Sequence, residues 1–244
     1  AYPPARIFTL SGPGVVDVSS SELREKLVRG EGGGLLAPAV YGYILREKLY
    51  GTAEDLKHLP LERLRPVALS CLNHRRIPHV LGTEQEAIHL AERWGADVNK
   101  ARRAALLHDC TKKLNLPEQL AVAERFHVPL DEMERREIKL LHAKTGAGIA
   151  EAVFGTDGEI TNAIRWHTTG RGGMTLLEKI IYLADYIEPT RDFPGVEELR
   201  RRCYEDLDAG LLLGLEMTIR EMEERNAPIH PKTLEARDAL KGQR

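Results

Sequence analysis

Histidine and aspartate in awkward places are the first sign of chemistry in this chain. His108 and Asp109 directly follow the apolar run Ala104-Ala105-Leu106-Leu107. A carboxylate there must be paired or ligating, because burying it alone is costly. Consecutive helical residues diverge by about 100°, but near a helix end both side chains can reach one central atom. Asp185 falls on the apolar stripe of Leu177, Ile181 and Ala184, where an unpaired acid does not belong. A buried salt bridge is the plainer reading of Asp185 taken alone. His79 in "RIPHVLGT", His142 in "LLHAKTG" and His167 in "IRWHTTG" complete a set of imidazoles and carboxylates. Such donors suit iron, manganese, cobalt, nickel or zinc, and the absence of a thiol pattern argues against a structural zinc site.

The elements that must position these residues read as helices. Ser20 or Ser21 caps "SELREKLVRG", which stops at Gly30, and Pro38 opens a second helix ending near Tyr50-Gly51. A boundary is expected near residue 52. Beyond it, Leu61 to Leu72 and Val80 to Ala91 make apolar stripes, and Asp97 caps the segment leading to His108. Further helices fit 117–126, 131–141, 144–154, 158–166, 174–187, 197–224 with a break, and 231–241. The expected fold is all-α, with a short mixed α/β N-terminal appendage whose extended runs are 6–10 and 15–18.

Composition narrows the function classes. With 244 residues, 42% apolar and 30% charged, the chain can bury a substantial core. Its net charge of -2 supplies no global basic field for nucleic acid, and 5% aromatic content disfavours a base-stacking platform. No apolar stretch is long enough to span a bilayer. Three cysteines without a C-x-x-C fit a reducing cytoplasm.

The order His79, His108-Asp109, Asp185 is the H…HD…D signature of the HD-domain metal-dependent phosphohydrolases. "RIPHVLGTEQEAIHLAERWGADVNKARRAALLHDCTKKL", "HAKTGAGIAEAVFG", "AIRWHTTG", "TLLEKIIYLADYIEPTRDFPGVEELR" and "IHPKTLEARDAL" narrow the resemblance. Over roughly residues 60–240 the chain resembles the YqeK family, bacterial symmetrical bis(5'-nucleosyl)-tetraphosphatases. The resemblance implies two transition-metal ions, iron first, with manganese or cobalt able to serve. His79, His108, Asp109 and Asp185 would hold one ion, and Asp109 would bridge to a second held by His142 and His167. It implies cleavage of diadenosine tetraphosphate to two ADP by a metal-bridging hydroxide, with Asp109 and Lys112 in catalytic roles.

Lys112, Arg191, Thr168, Thr169 and Gly170 are the substrate-binding candidates. Lys112 also reads as an exposed lysine, Arg191 as a loop charge, and the Thr-Thr-Gly run as a turn. Lys113 departs from the family pattern, which often has an acid there. The H…HD…D core also admits other nucleotides: a deoxynucleoside triphosphate, a cyclic nucleotide or a guanosine alarmone. A non-catalytic nucleotide-binding regulatory module is the reading from another class. Neither a nucleic-acid partner nor a membrane is expected, and the oligomeric state is left open.

"VDVSSSELREKLVRGEGGGLLAPAVYGYILREKLYG" resembles the C-terminal end of bacterial nicotinate-nucleotide adenylyltransferases. Ser19, Ser20, Ser21, Leu23 and Arg24 match a segment there whose helix N-terminus helps hold ATP phosphates, with Ser21 replacing a threonine. No Gly-x-Phe-Asp-Pro-x-His-x-Gly-His element occurs, so adenylyltransferase activity is not expected. Residues 1–51 are expected to be the remnant of such a domain, fused in a longer chain, and 52–244 the phosphohydrolase.

Overall fold

The computed structural model describes residues 18–242. Every regular element among them is a helix. The expected extended runs at 6–10 and 15–17 lie outside the described residues, and Val18 is loop. Nothing described supports an α/β appendage.

Two helices, α1 (Ser20–Val28) and α2 (Pro38–Arg46), precede α3 (Leu61–Ser70). Ser19 caps α1 by accepting the Glu22 amide, and Pro38 starts α2 where a missing N–H costs nothing. α2 lies backbone to backbone on α3: a Cβ added at Gly42 would sit 1.8 Å from the Pro66 carbonyl oxygen. Leu27, Ile44 and Leu45 thereby join the same apolar core as Leu64 and Val67. α2 stops at Arg46, short of the expected end at Tyr50, because Lys48 and Tyr50 take left-handed conformations.

The remaining helices are α4 (Ile77–Trp94), α5 (Val98–Leu107), α6 (Leu116–Arg125), α7 (Glu132–Arg136), α8 (Ile138–Ala152), α9 (Gly158–Trp166), α10 (Leu176–Ile187), α11 (Val196–Glu205), α12 (Leu207–Glu224) and α13 (Pro231–Lys241). Capping boxes at Asn115/Glu118, Asp131/Glu134 and Thr175/Glu178 satisfy the first amides of α6, α7 and α10. α10 is the central helix: it touches α4, α5, α9, α11 and α12. Ile180, Ile181, Leu183, Ala184 and Ile187 are fully buried along it, each larger side chain contributing about 1.5–3 kcal/mol.

One boundary differs in a way that matters to the site. The sequence suggests two helices, 131–141 and 144–154, with His142 between them. The chain instead breaks at Glu137, whose φ of -101° and ψ of 97° are non-helical, and α8 runs unbroken through His142. His142 is therefore held by a helix body.

Candidate metal centre

The six candidate ligands come from five places and converge. His79 sits in the first turn of α4; His108 and Asp109 follow α5; His142 is on α8, His167 just past α9, and Asp185 on α10. The four imidazoles and Asp109 have side chains or residues no more than 7% exposed, and the Asp185 side chain is 17% exposed.

Hydrogen bonds aim the rings. His108 Nδ1 donates to the Ala105 carbonyl at 2.6 Å, and His167 Nδ1 to the Ile164 carbonyl at 2.7 Å. His79 Nδ1 faces the Glu188 carboxylate at 3.0 Å. A carbonyl or carboxylate can only accept, so each Nδ1 carries the hydrogen and each Nε2 presents a lone pair. Yet Nε2 of His79 and Nε2 of His108 face each other at 3.3 Å. With both rings neutral, two acceptors face each other in a buried site, a contact that a shared cation relieves.

Distances within the cluster fit such a cation. Ligand atoms about 2.1 Å from one ion stand roughly 3.0–3.4 Å from their neighbours at angles of about 90–110°. His79 Nε2 lies 3.1 Å from Asp185 Oδ1, His142 Nε2 3.1 Å from His167 Nε2, and His142 Nε2 3.2 Å from Asp109 Oδ1. That Asp109 oxygen is buried and accepts no well-directed hydrogen bond. Its other oxygen, Oδ2, looks towards His108 at 3.5 Å and His79 at 3.8 Å. The carboxylate thus addresses two histidine pairs with two different atoms. The donor set fits a pair of metal ions.

Electrostatics agree in direction. Burial pushes the Asp109 carboxyl up, but His108, His142 and Lys112 beside it hold it well below the usual carboxylate range. Asp185 is likewise held well down, against burial, by His79, His108 and Arg191. Burial lowers His142 and, with its neighbouring imidazoles, takes His167 well below an ordinary histidine. His108 goes the other way, because Asp109 and Asp185 outweigh its burial.

Three cations border the cluster. Lys112 Nζ is 3.0 Å from His142 Nε2 and 4.0 Å from Asp109 Oδ1; burial lowers its pKa. Arg191 donates from Nη2 to Asp185 Oδ1 at 2.6 Å and from Nε to the Asp185 carbonyl at 2.8 Å. Arg76, inconspicuous in the sequence, donates from Nε to Asp109 Oδ2 at 2.5 Å.

A cavity of about 450 Å³ opens beside these groups, large enough for one nucleoside. His167, Asp185 and Arg191 line it together with Tyr182, Tyr186, Met222, Pro228 and Ile229. Thr168 also lines it, with a buried hydroxyl that has no partner. Thr169 and Gly170 are not brought to the cavity. The Thr169 hydroxyl donates to the Gly170 carbonyl, and Gly170, at φ 64°, turns towards Ala236, Met174 and Leu215.

The profile of the HD domain family matches residues 76–190, which hold all six candidate ligands. A Bacillus subtilis protein, "Bis(5'-nucleosyl)-tetraphosphatase, symmetrical", is 41% identical over 174 residues, covering 69% of this chain and 93% of the relative. This chain belongs to that family. A Staphylococcus aureus tetraphosphatase of the same name is 32% identical over 178 residues, 72% of this chain and 91% of its own. A crystal structure from Clostridium acetobutylicum, described as a predicted HD superfamily hydrolase involved in NAD metabolism, superposes with a TM-score of 0.73 at 38% identity. It covers 76% of this chain and 99% of that one. A Mycoplasma genitalium protein named probable nicotinate-nucleotide adenylyltransferase/Ap4A hydrolase is 30% identical over 161 residues, 64% of this chain but 41% of the relative.

Within this tetraphosphatase family, Arg76 and Glu188 are the site residues that the sequence hid. Arg76 sits in the basic run His74-Arg75-Arg76, where only its position three residues before His79 hints at an inward face. Glu188, before Pro189, reads as a loop charge. No described helix is long and apolar enough to cross a membrane.

Proposed function

We propose that this chain hydrolyses diadenosine tetraphosphate symmetrically, one water and one tetraphosphate giving two ADP. The observation that carries the substrate is the 41% identity to a symmetrical tetraphosphatase over 93% of its length; the split Asp109 carboxylate, one oxygen towards His79 and His108 and the other towards His142, supports the hydrolytic chemistry. His79, His108, Asp109 and Asp185 would hold one ion, and Asp109, His142 and His167 a second; iron suits this nitrogen and oxygen set, as do manganese and cobalt. Metal held by these residues would supply an acidic water as nucleophile at neutral pH and positive charge for the phosphate oxygens.

The chain's own groups do the rest. Arg191 and Lys112, each about one-third exposed at the edge of the buried acids, can turn from Asp185 and Asp109 to phosphate oxygens. The cavity walls of Tyr182, Tyr186, Met222 and Ile229 take one nucleoside and exclude water from one side of it. Thr168 offers its unpartnered hydroxyl to the same ligand. Thr169 and Gly170 serve by forming the turn that presents Thr168.

For the N-terminal segment we infer descent from an adenylyltransferase fused ahead of the HD domain, supported by the two-activity names of the Mycoplasma relatives. Three cysteines, all free, suit a reducing cytoplasm. The test is elemental analysis of the purified protein paired with chromatography of its products. About two transition-metal ions per chain and ADP as sole product are expected. AMP and ATP as products would overturn symmetrical cleavage.

A further inference from the structure

Glu188 is fully buried and carries no role in the reading above, yet its carboxylate touches the site. Its Oε1 faces His79 Nδ1 at 3.0 Å and accepts from the Thr190 hydroxyl at 2.5 Å. Its Oε2 accepts the Thr190 amide at 2.7 Å. Arg191 Nε stands 3.7 Å from Oε1. The backbone around it is pinned as well: Arg200 donates to the carbonyls of Ile187, Glu188 and Arg191, each at 2.9 Å. Glycine at residue 82 leaves the carboxylate room in this position. A Cβ there would lie 2.5 Å from Glu188 Oε2. Gly82 lies in the interior of α4, where glycine costs about 1 kcal/mol relative to alanine, so the gap has a reason other than helix formation.

We propose that Glu188 is a positioning residue for the metal centre: held by Thr190 and admitted by Gly82, it keeps His79 in the Nδ1–H form. His79 then offers Nε2, and only Nε2, to the ion. A carboxylate that orients a ligating imidazole raises its basicity and fixes its rotation, and loss of such a partner typically costs 10- to 100-fold in metal affinity. The inference rests on the reading of the cluster as a metal centre.

Co²⁺ binding to the metal-free full chain tests it, followed by chelator competition and visible absorption under reducing conditions. Glu188→Gln places an amide NH₂ where either Thr190 N–H or His79 Nδ1–H needs an acceptor. Its tightest Co²⁺ site should weaken about 10- to 100-fold with helical content unchanged. In a His79→Ala background the same substitution should cost nothing further, since it acts through that ring. Gly82→Ala should weaken Co²⁺ in the same direction by displacing the carboxylate, and it decides the matter if Glu188→Gln fails to fold. Wild-type affinity in the variant that folds, or an equal loss with and without His79, overturns the positioning role while leaving the metal centre intact. A wild-type chain that takes up no Co²⁺, Mn²⁺ or Fe²⁺ overturns the metal reading and this inference with it.

Discussion

Among the described residues histidine and acid gather in two separate places, and the two are built differently towards a metal. Around Asp109 the imidazoles present lone pairs to one another and an acid oxygen lacks a donor. The second cluster, Asp131, Glu134 and His230, is just as compact. There, however, His230 Nδ1 accepts the Lys232 amide at 3.1 Å, so Nε2 carries the hydrogen and donates to Asp131 Oδ2 at 2.8 Å. Lys144 already supplies the cation, with Nζ 3.1 Å from Glu134 and 3.5 Å from the centre of the Trp166 ring. The His230 ring is matched at both nitrogens, and Lys144, which makes an ion contact but no well-directed hydrogen bond, already supplies positive charge, so nothing there asks for a metal ion. The second cluster is a strut that ties the start of α13 to α7 and α8, with His230 on the wall of the cavity that His167 also lines. Donor count and spacing do not distinguish a ligand site from a strut; the direction of each lone pair does.

Breaking the first cluster should cost most. Asp109→Asn removes the carboxylate whose two oxygens face the two histidine pairs, and hydrolysis of diadenosine tetraphosphate should fall by at least about 10³-fold while the circular dichroism stays helical. Activity near wild type would remove the bridging role. Breaking the strut should instead cost stability and spare the metal. Glu134→Gln leaves the buried Lys144 without its counter-charge, and urea unfolding should show a loss of about 3 kcal/mol with bound metal unchanged. Loss of metal in that variant would mean the two clusters are one site.

A pH series sharpens the contrast. Burial and neighbouring imidazoles depress His167, and burial depresses His142, so the unfolded chain binds protons near pH 6.5 that the folded chain refuses. Their contribution to stability is present above about pH 6.5 and is lost as pH falls towards their folded values. His108, raised by its acids, contributes in the opposite sense: its share is present below about 6.5 and fades as pH rises. Two depressed groups against one raised one predict that the metal-free chain loses stability between about pH 7 and 5.5, by up to about 1.4 kcal/mol per pH unit for each net proton. His167→Gln should flatten that slope, and an unchanged slope would contradict the assignment. The smallest effect belongs to Asp131→Asn. Asn still caps α7, and the half-exposed carboxylate gives up only its charge, so the loss should stay under about 1 kcal/mol in the same unfolding assay.

The sequence by itself determined the candidate ligands at Asp109 and Asp185 and most of the helices, because both signals are local. An acid on an apolar stripe, as at Asp185, or straight after one, as at Asp109, is visible without any knowledge of neighbours. So are the Asp97 cap and a break somewhere within 197–224. Tertiary structure decided which way the groups turn. Arg75 and Arg76 are alike in sequence, and only the packing of α4 beside the end of α5 puts Arg76 on Asp109. Thr168 and Thr169 are alike too, and the turn at Gly170 sends one hydroxyl to the cavity and the other inward. Glu188 meets His79 across 109 residues of chain. Orientation of a lone pair depends on contacts made far along the chain, and those exist only once α4, α5, α9 and α10 have packed together, with α8 against α9.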